Sequence, residues 1–166
     1  SDNEQAPALT KAHSAGISTE IVTANKGEKR ESYGEKLIQA LSSFKPDLIV
    51  LAGFMRIVGT NVIDAYKNKI INIHPSLLPA FAGLDVQKQA LDYGVRFSGC
   101  TVHFVDAGCD TGPIILQTVV PILEGDTVET LSARILIEEH KLLPKAVDLI
   151  AQNKVKIENR KISIGG

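Results

Sequence analysis

Along the first 46 residues the apolar side chains are spaced apart rather than run together. Tyr33, Leu37, Ile38 and Leu41 recur at helical intervals, which predicts a helix over Lys29–Phe44 behind a shorter one over Ala6–Ala15. Between them Ser18–Thr23 reads as a short strand. The pattern changes at Pro46. The run DLIVLAGF that follows is too short for a confident helix and is bounded by proline and glycine, which predicts a strand buried on both faces and hence a parallel sheet. A helix near Thr60–Lys67 comes next, then KIINIHPS, a second buried strand that stops at Pro75 because proline cannot donate to a ladder. Strand, helix, strand is a crossover unit.

Beyond it, PSLLPAFAG carries two prolines and a glycine and reads as an irregular loop, with Val86–Tyr93 as the next helix. GCTVHFVD and PIILQTVVPI are rich in β-formers and are separated by the turn residues of DAGCDTG, so antiparallel or mixed pairing is expected at one side of the sheet. Asp126 or Thr127 can cap a long helix reaching about Gln152, and VKIENRKISI reads as a hairpin turning about Glu158–Arg160. With no repeat, linker or low-complexity segment, residues 1–166 are expected to form a single α/β domain.

Composition narrows the class. At 166 residues, with 44% hydrophobic and 22% charged side chains, the chain has the balance of a soluble globular domain able to bury a core. Its net charge of −1 offers no basic excess for a polyphosphate backbone, so nucleic acid is not an expected partner. Apolar runs such as Leu48–Phe54 and Ile114–Leu116 fall far short of the ~20 residues that span a bilayer, and the polar start SDNEQ is no signal peptide. Cys100 and Cys109 form no CxxC pair or disulfide framework, which fits a reducing cytoplasm.

The candidate chemistry sits at strand ends. In N-I-H the side chains of Asn72 and His74 share one face while Ile71 and Ile73 share the other, and the pair lies at the carboxyl end of its strand, where open α/β sheets place ligands. Taken alone, such a histidine is more often a hydrogen-bonded core residue. Asp110, in D-A-G-C-D-T-G after another strand end, has a turn-making role as its plain alternative. If the sheet joins the three, the Asp110 carboxylate would orient and stabilise a charged His74, and Asn72 would donate to a carbonyl oxygen gaining charge. That suits acyl-type transfer by a bound amine or water, since Ser76 lacks a nucleophile elbow and Cys100 reads as inert core. His103 faces the same way as Thr101 and could instead join His74 and Asp110 as a two-histidine, one-carboxylate metal set. Glu138, Glu139, His140 and Arg30 have a solvated face as their plain reading.

Five segments carry a family resemblance: LAGFMRI at Leu51–Ile57, NIHPSLLP at Asn72–Pro79, GCTVHFV at Gly99–Val105, DTGPIILQ at Asp110–Gln117 and EEHKLLP at Glu138–Pro144. Together they resemble the phosphoribosylglycinamide formyltransferase family. The N-x-H-P-S-L-L-P element and the downstream Asp are shared by the wider formyltransferase-fold superfamily, whereas EEH and VPI-x-x-GDT point to the purine-pathway members. The resemblance implies a three-layer, Rossmann-like α/β fold, its sheet mostly parallel with a mixed or antiparallel C-terminal part. The implied reaction moves a formyl group from 10-formyltetrahydrofolate to the amino group of glycinamide ribonucleotide in de novo purine biosynthesis, without a metal.

By the same resemblance, Asn72 would bind the formyl oxygen, His74 would be the proton donor and Asp110 would tune His74. The folate would lie against Met55, Arg56, Ile57 and Val58 and against Asp106, Ala107, Gly108, Cys109 and Asp110, with Arg30 near its benzoylglutamate and Asn72 at its formyl end. Glu139, with Leu136, Ile137 and Glu138 beside it, would contact the ribonucleotide, and His103 would support the trio. The implied partners are these two small molecules, with the chain a monomer or homodimer, and no nucleic acid or membrane. Family members begin with a strand, a glycine-rich phosphate loop and a helix; this chain starts after them, Asn25–Gly27 does not replace the loop, and an N-terminally truncated domain is expected. The alternatives are a formyltetrahydrofolate hydrolase, whose relatives carry His-Ser-Phe in place of Pro75, Ser76 and Leu77, and an inactive folate-binding fragment.

Overall fold

A computed structural model describes residues 1–165, which divide into two compact units: Ser1–Asp47 with Arg56–Lys67, and Leu48–Met55 with 68–165. The first holds three helices, α1 (Pro7–Ser14), α2 (Arg30–Phe44) and α3 (Thr60–Ala65). Pro7 opens α1 at the one turn where a missing N–H costs nothing. Lys45, left-handed at φ 46°, closes α2 just ahead of Pro46. Helices α2 and α3 approach closely at Gly34, where any Cβ would collide with the Asn61 amide that donates to the Glu31 carbonyl.

Two expectations fail in this unit. Ser18–Thr23 forms no strand, because its backbone has no ladder to join: Val22 N–H donates to the Ser1 carbonyl, the Ser1 amine to Glu20, and the Tyr33 hydroxyl to the Val22 carbonyl. Helix α3 ends at Ala65 rather than Lys67, with Asn68 left-handed just beyond the turn that closes it.

The second unit is built on a four-stranded sheet in the order β1 (Ile49–Leu51), β2 (Ile70–His74), β3 (Phe97–Phe104), β4 (Ile114–Pro121). Strands β1 and β2 pair in parallel; β2 with β3 and β3 with β4 pair antiparallel. The fold is therefore α/β with a mixed sheet, whose parallel part is one strand pair wide among the described residues. Strand β1 is not buried on both faces as its composition predicts: it is a three-residue edge strand with a ladder partner on one side, and Val50 stays 39% exposed. Helix α4 (Val86–Tyr93) and helix α5 (Val128–Ala151) follow the expected boundaries, and β5 (Val155–Glu158) with β6 (Lys161–Ile164) forms the expected hairpin.

Helix α5 explains why this sheet holds its shape. Thr127 caps it: its hydroxyl accepts from the Thr130 N–H, and the Thr130 hydroxyl accepts in return from the Thr127 N–H. Leu131, Ile135, Leu142 and Ala146 recur on one helical face and pack against Ile71, Cys100, Val102, Phe104, Ile115 and Val120 of the sheet. Each such large side chain contributes roughly 1.5–3 kcal/mol by leaving water. The core therefore claims one face of β2 and β3 and leaves the opposite side chains of β2, Asn72 and His74, for other work.

Candidate active site

The register of the sheet assembles the site. Asn72 lies opposite His103 and His74 opposite Thr101 across the β2–β3 ladder, so the N-I-H alternation on one strand meets T-V-H on the next. A shift in the β3–β4 register at Val102/His103 marks an irregularity beside this point, a common device for re-aiming side chains near a functional centre. Asp110 arrives from the β3–β4 loop with a left-handed backbone, φ 53°. Its carboxylate sits between the two imidazoles: Oδ2 is 3.4 Å from His74 Nδ1, and Oδ1 is 3.6 Å from His103 Nε2.

Hydrogen bonds assign the roles of each ring. Burial pushes the pKa of His103 down, against opposing contributions from its bond to the Phe104 carbonyl and from the Asp110 charge. As a neutral ring it donates from Nδ1 to the Phe104 carbonyl at 2.9 Å, which leaves Nε2 bare to accept from Asn72 Nδ2 at 3.4 Å. His103 thus fixes which end of the Asn72 amide is the nitrogen, leaving that group a second hydrogen for another acceptor. His74 differs. Its Nε2 donates to the Phe81 carbonyl at 2.8 Å while Nδ1 faces Asp110, so both nitrogens have acceptors and the ring satisfies both when it carries both protons. The Asp110 carboxylate is itself held by the Gly83 N–H at 2.9 Å and approached by the Cys109 thiol at 3.6 Å.

The β3–β4 loop is fixed from within. The Asp106 carboxylate accepts from the Gly108 N–H and the Thr111 hydroxyl, and the Arg160 guanidinium on the β5–β6 turn donates to the Thr111 carbonyl at 2.7 Å. Gly112 is required by close approach: a Cβ there would lie 1.7 Å from the Phe104 carbonyl oxygen. The segment after β2 is tied down as well. Thr101 Oγ1 donates to the Ser76 carbonyl and accepts from the Leu78 N–H, and Gln117 Nε2 donates to the Leu78 carbonyl.

The sequence-predicted residues therefore separate into groups. Asn72, His74 and Asp110 come together, and His103 joins them. Asp106, Ala107, Gly108 and Cys109 form the loop that carries Asp110. Met55, 80% exposed, belongs to the second unit, whereas Arg30, Arg56, Ile57 and Val58 belong to the first. There Arg56 pairs with Asp2 at 2.8 Å and lies over the Tyr33 ring, Arg30 pairs loosely with Glu31, Ile57 is exposed and Val58 is buried. On α5, Leu136 and Ile137 are exposed and Glu138 pairs with Lys141. Glu139 is half-buried; burial raises its carboxyl pKa, opposed by the charges of His140 and His74. Cys100 is fully buried and its thiol is pushed up to about 11, first by burial and then by the Glu139 and Glu138 charges, as an inert core residue should be. Among the described residues, no group of three or more His, Cys, Asp or Glu side chains is arranged to hold a metal ion, so the two-histidine, one-carboxylate alternative gains no support.

Sequence reasoning missed the backbone partners: the Phe81 carbonyl on His74 and the Gly83 N–H on Asp110. The only sign of them is the density of proline and glycine in PSLLPAFAG, which marks an irregular backbone without saying where its polar groups point.

The trio of amide, imidazole and carboxylate on the mixed sheet brings together a donor for a carbonyl oxygen and a proton-carrying ring beside a carboxylate, groups that acyl transfer can use. The formyl transferase family model matches residues 1–147, and the chain belongs to that family. It is 37% identical over 166 residues to the phosphoribosylglycinamide formyltransferase of Escherichia coli (strain K12), covering all of this chain and 78% of that protein. It is 44% identical over 155 residues, 93% of this chain, to the trifunctional purine biosynthetic protein adenosine-3 of Bos taurus, and spans only 15% of that relative's length. Among solved structures, the glycinamide ribonucleotide transformylase 1 of Symbiobacterium toebii superposes with a TM-score of 0.96 at 47% identity, covering 99% of this chain and 78% of that one.

Proposed function

We propose that this chain transfers a formyl group from 10-formyltetrahydrofolate to the amino group of glycinamide ribonucleotide, a step of purine biosynthesis. The observation that carries this reading is the Asp110 carboxylate lying between His74 and His103, with Asn72 oriented by His103 beside them. The ribonucleotide amine attacks the formyl carbon, the carbon–N10 bond breaks, and the amine's surplus proton is balanced by one delivered to N10. Asn72 donates its free amide hydrogen to the oxygen as charge builds on it. His74 donates a proton, and Asp110 keeps the charged ring in place. The donor and acceptor amines supply all the bonding changes, so no side-chain nucleophile and no metal enters.

The folate is read as lying along the 106–110 loop, whose Gly108 lets backbone come close, and along the backbone of 55–58, with Arg30 toward its glutamate end. Glu139, flanked by Leu136, Ile137 and Glu138, is read as contacting the ribonucleotide. We take the two units as parts of one formyltransferase domain, since the family match runs through both. Two small-molecule substrates, no nucleic acid or membrane partner, a monomer or homodimer and a cytoplasmic setting complete the reading; no helix among the described residues is long and apolar enough to cross a membrane.

The test is the release of deformylated folate from 10-formyltetrahydrofolate with and without glycinamide ribonucleotide, using this chain and its His74→Ala variant. Release that requires the ribonucleotide and is lost in the variant is expected. Release of formate without the ribonucleotide would replace the transferase with a hydrolase, and no release would overturn the reading.

A further inference from the structure

Ser76 lies two residues beyond His74, fully buried, and no part of the transfer chemistry uses it. Its hydroxyl points at two carbonyls, 2.6 Å from that of Ala80 and 3.0 Å from that of Phe81. The Phe81 carbonyl is the same one that accepts from His74 Nε2 at 2.8 Å. Phe81 reaches this place in a left-handed conformation, φ 53°, which is strained for a bulky aromatic residue and persists only where the surroundings enforce it.

We infer that Ser76 is a positioning residue, whose hydroxyl holds the Phe81 carbonyl against His74 Nε2 and so keeps Nδ1 turned toward Asp110. The geometry separates this from a general loop-fastening role. The rest of the segment is fastened elsewhere: Thr101 donates to the backbone carbonyl of Ser76 and accepts from the Leu78 N–H, and Gln117 donates to the Leu78 carbonyl. None of these bonds needs the Ser76 side chain. Removing its hydroxyl therefore loosens the Ala80 and Phe81 carbonyls it faces, leaving Phe81 with His74 alone, while the tethers at Leu78 stay intact. With its Nε2 acceptor loosened, the His74 ring loses the contact that fixes its orientation and so turns Nδ1 toward Asp110.

The test compares Ser76→Ala with Gln117→Ala, which cuts the same segment's tether at Leu78 without touching Phe81. Long-range proton–nitrogen correlation spectra of the ring nitrogens of His74 are recorded for each, alongside turnover. Ser76→Ala is expected to move the His74 nitrogen shifts and to lower kcat about 10- to 100-fold, with KM for the folate little changed, as for a misplaced catalytic group. Gln117→Ala is expected to lower the melting temperature and leave those shifts in place. Should Ser76→Ala fail to fold, Ser76→Thr, which retains the hydroxyl, is expected to keep the native shifts. Unmoved shifts in Ser76→Ala, equal movement in Gln117→Ala, or altered shifts in a folded Ser76→Thr would overturn the inference. The kinetic arm rests on His74 acting as proton donor in the proposed transfer. The spectra do not, so wild-type protein without turnover would count against that function while the nitrogen shifts still decide the role of Ser76.

Discussion

Gly112 offers the sharpest test of how the loop serves the site. A Cβ at this position would lie 1.7 Å from the Phe104 carbonyl oxygen, where carbon and oxygen ordinarily stay about 3.3 Å apart, so Gly112→Ala must displace backbone by about 1.5 Å. That carbonyl is also the acceptor for His103 Nδ1, and Gly112 is two residues from Asp110. The displacement therefore reaches the carboxylate from one side and the ring that orients Asn72 from the other. Overpacking of this kind costs about 1–3 kcal/mol, which for a chain of this size lowers the melting temperature by roughly 2–12 °C. Misplacing catalytic groups by about 1 Å costs on the order of 100-fold in rate. Steady-state turnover at 25 °C, where the variant remains folded by circular dichroism, should thus fall about 100-fold while the protein survives. Wild-type turnover with an unchanged melting temperature would refute the claim that the 106–112 backbone sets the position of Asp110.

Ser98 is 2% exposed and its hydroxyl has no hydrogen-bond partner among the described residues, so Ser98→Ala should be neutral or raise stability by up to about 1 kcal/mol in urea denaturation; a clear loss would show a missed partner. Ellman's reagent near pH 8 should titrate Cys109, exposed though its thiol is pushed up by burial and by the Asp110 charge, more slowly than a free thiol but ahead of Cys100, which burial pushes to about 11 and which should react only after guanidinium unfolding. The lowered pKa of folded His103 means that, as pH falls through the ordinary value of 6.5, the unfolded chain takes up a proton that the folded chain does not. Stability should therefore decline with acidification below that point, and His103→Asn should decline less steeply between pH 7.5 and 5.5 when both are followed by denaturant titration. Arg160→Ala should speed hydrogen exchange across 106–112 by releasing the Thr111 carbonyl, and unchanged exchange would show that the β5–β6 turn does not steady the loop.

What could be read from the sequence follows the range of the interaction that decides it. The alternation in N-I-H is local, and it placed Asn72 and His74 on one face because a strand allows nothing else. Helix α5 was legible from a local signal too, a cap at Asp126 or Thr127, of which the structure uses Thr127. Ser18–Thr23 misled because a strand exists only where a partner lies alongside, and its composition says nothing of that partner. The expected burial of β1 failed on the same ground: the run is apolar, but the pairing that would bury it is a matter of neighbours. Meeting of the trio needed a β2–β3 register that residue types alone did not dictate; the family resemblance implied that the three act together without giving that register.

The hardest features to foresee were those in which backbone does the work. Any residue at position 81 would bring a carbonyl, and any non-proline residue at 83 an N–H, so neither contact leaves a mark on the sequence. Their effect is nevertheless encoded, one step removed, in side chains that hold the backbone: Ser76 beneath the Phe81 carbonyl, Thr101 and Gln117 beside the Leu78 peptide, Gly112 yielding space to Phe104. Asn72, His74 and Asp110 carry the chemistry of the proposed transfer. The polar and small residues around them determine whether these three groups meet at usable distances.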